Sequence, residues 1–169
     1  FGEAMGEAGI PVDESLIIQG EFSYRSGFEA TEQMLEMSDP PTAILASNDD
    51  MAAGAISAAR QFRIQVPEEL SVCGFDDSLM ASQFWPPITT IHQPIGEMTQ
   101  AAIEHLENNI RRDRSGAPFR HRRIELDFTL VKRESDAAPK GLQSIQGDRS
   151  TASVARKYQS GSHRKPPVY

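Results

Sequence analysis

Apolar positions follow two different spacings along the first two thirds of the chain. Apolar residues three and four positions apart are typical of helices that pack on a core, whereas short apolar runs are typical of strands. The predicted helices are 1–8, 24–37, 51–62 and 95–111. The predicted strands are 16–18, 43–46, 70–75 and 88–91, the first two of them buried. Strands that alternate with helices in this way indicate an α/β fold, with a parallel sheet flanked by helices.

The last third of the chain has a different pattern. Residues 125–130 alternate apolar and polar side chains, which predicts a half-buried strand at a sheet edge. The basic stretch 111–123 contains a glycine and a proline, which predicts an exposed loop. Beyond Ser135 the apolar pattern ends and polar, basic and proline residues dominate. We therefore expect residues 1–135 to form the folded domain and residues 136–169 to form a disordered basic tail.

Charge is distributed unevenly over the 169 residues. The first 110 residues carry 18 acidic and 3 basic side chains, whereas the remainder carries 6 acidic and 14 basic ones. Phosphates repel an acidic surface, which argues against contact between the first 110 residues and nucleic acid. An apolar run of about 18 residues, the length that spans a bilayer, does not occur, so we expect no membrane partner.

The cysteine and histidine content limits the possible chemistry. Cys73 is the single cysteine, which excludes an internal disulfide framework and a cysteine-based zinc site. The four histidines do not follow a metal-binding spacing, so we expect no metal site. The N-terminus has neither a signal-peptide pattern nor an initiator Met, and we expect a cytoplasmic chain that is part of a longer protein.

Polar side chains and an aromatic ring follow three of the predicted strands. Phe22 follows the strand 16–18, and Asn48 and Asp76 follow the next two. Ligands of a parallel α/β sheet bind beyond the carboxyl ends of its strands, where these residues would meet. A phenyl ring covers the C–H face of a sugar or stacks on a base, and amide and carboxylate groups bind hydroxyls. The set therefore favours a hydroxyl-rich ligand.

Other interpretations of the same residues remain open. Asn48 has the chemistry of a helix cap, and Phe22 has that of an ordinary core residue. Four aspartates, Asp49, Asp50, Asp76 and Asp77, follow two strands and could hold Mg²⁺ for phosphoryl transfer. However, the sequence has no glycine-rich phosphate loop and no lysine directly after a strand. Since no catalytic set is present either, we expect neither an enzyme nor a cofactor.

Three segments together resemble the LacI/GalR family of bacterial transcriptional regulators. They are PTAILASNDDMAAGA at 41–55, VPEELSVCGFDD at 66–77 and PITTIHQP at 87–94, in the order and at the spacing of that family. The segment that contains Gly20, Glu21 and Phe22 also matches the family pattern. The resemblance covers about residues 1–135.

The resemblance implies the C-terminal lobe of a type I periplasmic-binding-protein-like fold. It places helix 95–111 in an N-terminal lobe that is otherwise missing, which would leave the apolar stripe of this helix uncovered. It assigns effector binding to Phe22, Asn48 and Asp76, with Gln93 as a weaker candidate. The effector would be a sugar or a nucleoside, and it would alter operator DNA binding by a helix-turn-helix domain of a homodimer. The alternative within the same fold is a secreted periplasmic sugar-binding protein.

Overall fold

The computed structural model describes residues 1–138, and residues 1–137 of these form one compact unit. Five helices, four strands and one 3₁₀ turn follow one another along this part of the chain. The helices are α1 (Gly2–Glu7), α2 (Tyr24–Leu35), α3 (Asp49–Gln61), α4 (Leu79–Gln83) and α5 (Ile95–Arg114). The strands are β1 (Ala43–Leu45), β2 (Ser71–Cys73), β3 (Thr90–His92) and β4 (Thr129–Val131). No helix among the described residues is long and apolar enough to cross a membrane.

The strands form two small sheets that meet at two bridges. β1 and β2 are parallel, with Leu45 opposite Cys73, whereas β3 and β4 are antiparallel. Parallel bridges join Cys73 to Thr89 and Asp76 to His92, so β2 and the segment that contains β3 also run in the same direction. The prediction of an α/β fold with a parallel sheet is confirmed.

Helix α3 is the centre of the hydrophobic core. Its apolar face, which includes Ile56 and several alanines, is almost fully buried and packs with Leu70, Val72 and Ile88. Helix α2 lies close against α3 because glycines replace side chains at the contact. A Cβ atom at Gly54 would lie 2.1 Å from the carbonyl oxygen of Tyr24. A Cβ at Gly27 of α2 would lie 2.2 Å from the carbonyl oxygen of Met51, so the two glycines allow the helix backbones to approach each other.

Three strand predictions are wrong, one in kind, one in position and one in burial. Residues 16–18 do not form a strand, because Asp13 accepts a hydrogen bond from the backbone N–H of Ser15 (2.9 Å) and starts a 3₁₀ turn at Glu14–Leu16. In place of the predicted strand 125–130 the structure has a shorter strand, Thr129–Val131, which ends one residue later, since only these residues pair with β3. Strand β1 was predicted to be buried, but Leu45 is 63% exposed, because β1 pairs on one side only within the described residues.

The C-terminal limit of the fold lies slightly beyond the predicted one. Ser135 is completely buried, and its Oγ accepts from the backbone N–H of Thr89 (2.9 Å) and donates to the carbonyl oxygen of Val72 (2.5 Å). Asp136 follows it and accepts from Thr89 Oγ1 (2.5 Å). Asp136 therefore belongs to the domain rather than to the tail. The predicted disorder of the rest of the tail lies outside the described residues.

Helix α5 extends three residues beyond the predicted end, and its apolar stripe is uncovered as predicted. Ile95, Met98, Leu106 and Ile110 are between 44% and 57% exposed, and Ala102 is exposed as well. The helix therefore presents to solvent an apolar face of the kind that normally packs on a partner element.

Candidate ligand-binding site

The register of the parallel sheet places Asn48 and Asp76 at the same edge. Leu45 and Cys73 are opposite each other at the carboxyl ends of β1 and β2. Asn48 and Asp76 each lie three residues beyond this pair. Because both strands run in the same direction, the two segments leave the sheet on the same side. The structure thus gives these two predicted residues equivalent positions at the end of neighbouring strands.

Asn48 has two structural contacts. Its Oδ1 accepts from the backbone N–H of Met51 (2.8 Å), which caps helix α3, so the interpretation as a helix cap is correct. Its Nδ2 donates to the carbonyl oxygen of Phe22 (3.1 Å). The amide therefore links the start of α3 to the loop before α2, and one of its two Nδ2 hydrogens remains available to a ligand.

Phe22 presents its side chain to solvent and is not a core residue. Phe22 is 67% exposed, and its backbone has a positive φ of 53°. This unusual backbone angle directly precedes Ser23, which caps α2 by accepting from the backbone N–H of Ser26 (3.2 Å). The sharp turn before the helix explains why the ring does not pack inward. Through its backbone carbonyl oxygen, Phe22 forms with Asn48 the first pair of predicted site residues that the structure brings into contact.

Asp76 and Gln93 form the second pair. Gln93 Nε2 donates to Asp76 Oδ1 (2.7 Å), and the backbone N–H of Asp76 donates to the carbonyl oxygen of Ile91 (2.9 Å). Asp76 also has a positive φ of 106°, a backbone conformation that is rare for residues other than glycine. Its Oδ2 has no hydrogen bond to any described residue. One carboxylate oxygen is thus held in place while the other is available.

Asp49 connects the segments on which the two pairs lie. It is 1% exposed, accepts from the backbone N–H of Ser78 (2.6 Å) and accepts from Thr90 Oγ1 (2.6 Å). Gly74 is required beside it, because a Cβ at that position would lie 2.4 Å from Asp49 Oδ1. The start of α3, the loop after β2 and strand β3 are therefore fastened to one carboxylate. Within the described residues, no hydrogen bond joins the pairs directly.

A charged cluster surrounds Asp77, the residue that follows Asp76 in the loop after β2. The Asp77 carboxylate accepts from Arg133 Nη2 (2.5 Å) and contacts His92 Nδ1 (3.0 Å). The hydrogen bond from Arg133 holds the pKa of Asp77 below its ordinary value of 3.8. Sequence reasoning named Asp49 and Asp77 only as possible magnesium ligands and missed the contacts that they make, because their partners are 15 to 56 residues away in the chain and no local pattern marks them.

The magnesium interpretation is not supported by the arrangement of the aspartates. No group of three or more metal-ligating side chains occurs within residues 1–138. Three of the four aspartates have other partners: Asp49 binds Ser78 and Thr90, Asp76 binds Gln93, and Asp77 binds Arg133.

Gln93 also lines a cavity of about 320 Å³ together with apolar side chains, among them Phe75 and Met98. The edge thus offers a ring, an amide hydrogen and a carboxylate oxygen beside an apolar recess.

Residues 1–135 match the family described as periplasmic binding protein-like domain. The chain belongs to this family, in its LacI/GalR branch. It is 52% identical over 98 residues to the transcriptional regulator DegA of Bacillus subtilis and 42% identical over 135 residues to the transcriptional repressor PurR of Photobacterium profundum. These alignments cover 58% and 80% of this chain but only 29% and 39% of the two relatives. The chain thus corresponds to less than half of either regulator.

Solved structures of LacI/GalR regulators have the same fold. The complex of the regulator CelR with cellobiose superimposes with a TM-score of 0.71 at 32% identity, over 79% of this chain and 40% of that one. The repressor ascG of Escherichia coli superimposes with a TM-score of 0.68 at 34% identity, over 81% and 48%. The relatives are named as transcriptional regulators, in agreement with the prediction that this LacI/GalR domain is not an enzyme.

Proposed function

We propose that this chain is the part of a transcriptional regulator that recognises a small hydroxyl-rich effector, a sugar or a nucleoside. The observation that carries the proposal is the common edge of the sheet, where Asn48 binds the backbone carbonyl oxygen of Phe22, the Phe22 side chain is exposed and Gln93 holds Asp76. In this proposal Phe22 covers the apolar face of the effector, Asn48 donates its remaining hydrogen, and Asp76 Oδ2 accepts from hydroxyl groups.

Gln93 has a positioning role in this proposal. It holds one oxygen of Asp76 and lies two residues before α5, so a ligand on Asp76 acts directly on the segment that leads to this helix. Effector binding would shift the equilibrium between two arrangements of the lobes and so change operator binding by a helix-turn-helix domain outside this sequence, in a cytoplasmic homodimer. Such coupling is typically about 1–3 kcal/mol.

The relatives favour a regulator over a secreted sugar-binding protein of the same fold. DegA and PurR are named as regulators, and CelR is a regulator solved with the sugar cellobiose. The sequence that the gene encodes before Phe1 separates the alternatives, since a regulator requires a helix-turn-helix there and a secreted protein requires a signal peptide.

Titration with a panel of hexoses, pentoses, disaccharides and nucleosides tests the effector class. We expect at least one of them to raise the unfolding temperature of the chain, because a ligand that binds only the native state stabilises it. Asp76→Asn should weaken the binding of that compound about tenfold or more, since a hydroxyl-binding carboxylate is lost. Asp50→Asn is the matched control, because Asp50 is exposed at the start of α3 and has no hydrogen bond or ion pair with Phe22, Asn48, Asp76 or Gln93. Equal affinities of the two variants would contradict the assignment.

A further inference from the structure

The loop after α5 is fastened to the helix and does not extend freely. Asn109, which is 3% exposed, accepts from the backbone N–H of Arg120 (2.8 Å) and donates to the carbonyl oxygen of the same residue (3.2 Å). Arg112 Nε donates to the carbonyl oxygen of Pro118 (3.2 Å). The loop backbone is therefore held at two points against the last turns of the helix.

This clamp forms a cavity of about 510 Å³ with strongly basic walls. Its lining includes Arg111 and Arg112 from the helix and Arg120 and Arg122 from the loop, together with His105 and Ser115. No carboxylate lines the cavity. The concentration of guanidinium groups stands out in a chain that has 24 acidic and 17 basic side chains.

Three of these guanidinium groups lack an acidic partner among the described residues, whereas Arg111 contacts Glu107 (3.5 Å). Arg120 and Arg122 make no side-chain hydrogen bond or ion pair with any described residue, and Arg112 uses only Nε, on a carbonyl oxygen. In contrast, Arg123 pairs with Glu125 (2.8 Å), directly beside the cavity lining. The arginines of the last helical turn complement the partial negative charge of the helix end. That explanation does not apply to Arg120 and Arg122, which lie outside the helix.

We propose that this cavity binds a phosphoryl group. Guanidinium groups that lack carboxylate partners attract an anion, and their planar fork matches phosphate oxygens in a bidentate way. The phosphoryl group has two possible sources, a small phosphorylated molecule or the backbone of DNA. The site shares no residue with the sheet edge proposed for the effector, and it does not depend on that assignment.

Two probes distinguish the sources: inorganic pyrophosphate, measured by calorimetry, and a fluorescent duplex of about 20 base pairs, measured by anisotropy at about 50 mM salt. The test variant is Arg120→Gln/Arg122→Gln, which leaves the backbone clamp on Asn109 intact. The matched control is Arg114→Gln/Arg123→Gln, which removes the same charge from the same segment but touches no lining residue. Thermal unfolding of both variants checks that the fold is retained.

If the cavity binds a phosphoryl group, the test variant should bind at least one probe about tenfold or more weakly than the unaltered chain does. The control should lose less than about threefold in affinity for the same probe. An effect on pyrophosphate alone identifies a small phosphorylated ligand, and an effect on the duplex identifies a nucleic-acid contact. Equal weakening by both variants would mean that only overall charge matters and would overturn the proposal. Failure of the unaltered chain to bind either probe would overturn it as well.

Discussion

Asn48 holds the carbonyl oxygen of Phe22 with its Nδ2 (3.1 Å) while its Oδ1 caps helix α3 (2.8 Å to Met51 N). One side chain therefore contributes to both helix stability and the position of the aromatic ring. Asn48→Ala removes both contacts and should lower the free energy of unfolding by about 1–2 kcal/mol. Asn48→Ser keeps a capping oxygen without facing an acceptor to the Phe22 carbonyl oxygen, and should cost less than half as much. Urea denaturation of the variants measures the difference, and equal losses would show that the cap does not matter.

Asp49 should be far more important for stability than the adjacent Asp50. Asp49 is buried and accepts two short hydrogen bonds, from Ser78 N and Thr90 Oγ1, whereas Asp50 is exposed. Both lie in the first turn of α3 and interact similarly with the helix dipole. Asp49→Ala leaves two buried donors unpaired and should cost about 2–4 kcal/mol, against less than about 1 kcal/mol for Asp50→Ala. A similar shift of the urea midpoint in both variants would refute the linking role of Asp49.

The ion pair between Asp77 and Arg133 should make the stability of the fold depend on pH in the acidic range. Because the pKa of Asp77 is lowered in the folded state, the group stabilises the fold fully above its ordinary value of 3.8. This contribution is lost as the pH falls below that value and through the folded-state pKa. The stability gap between the unaltered chain and Asp77→Asn should therefore be largest at neutral pH and should shrink in strong acid. Denaturation curves at several pH values give this gap, and a gap independent of pH would contradict the ion pair.

The uncovered stripe of α5 should cause self-association of the chain in solution. Leu106 and Ile110 are 57% and 45% exposed on the same helix face. Removing such side chains from water contributes about 1 kcal/mol or more to the free energy of association for each half-exposed residue. Leu106→Gln/Ile110→Gln should therefore weaken association about tenfold or more in sedimentation experiments. Ala101→Gln is a suitable control, since Ala101 lies on α5 but is already partly buried. A monomeric unaltered chain at high concentration would show that the stripe is not adhesive.

Local patterns predicted α1, α2, α3, α5 and the main parallel pairing, because periodic apolar positions and capping residues are local signals. The short helix α4 (Leu79–Gln83) was not predicted. They failed at residues 16–18, where Asp13 starts a 3₁₀ turn and no strand partner lies within the described residues. The prediction that β1 is buried was also wrong, since the burial of a strand depends on a neighbouring strand on each side. A sheet register, in contrast, is a regular relationship, and it is the reason why Asn48 and Asp76 could be expected at the same edge.

The supporting contacts of the site could not be predicted in the same way. Ser135 binds Thr89 and Val72 across 46 and 63 residues, and Arg133 binds Asp77 across 56. No periodicity connects such positions, because they meet only after the chain has folded. The family resemblance pointed to candidate effector-binding residues, whereas the contacts that hold those residues in place became visible only in three dimensions.

The side-chain amide signals of Asn48 and Gln93 in a ¹⁵N-resolved NMR titration give the most direct test of the proposed effector site. Such spectra detect weak binding, which suits a chain that corresponds to less than half of its relatives. With a sugar or nucleoside that binds, we predict that both amide signals and the Phe22 ring protons shift together with a common dissociation constant. A ligand that binds with no shift at these three groups, or a panel in which nothing binds, would contradict the account.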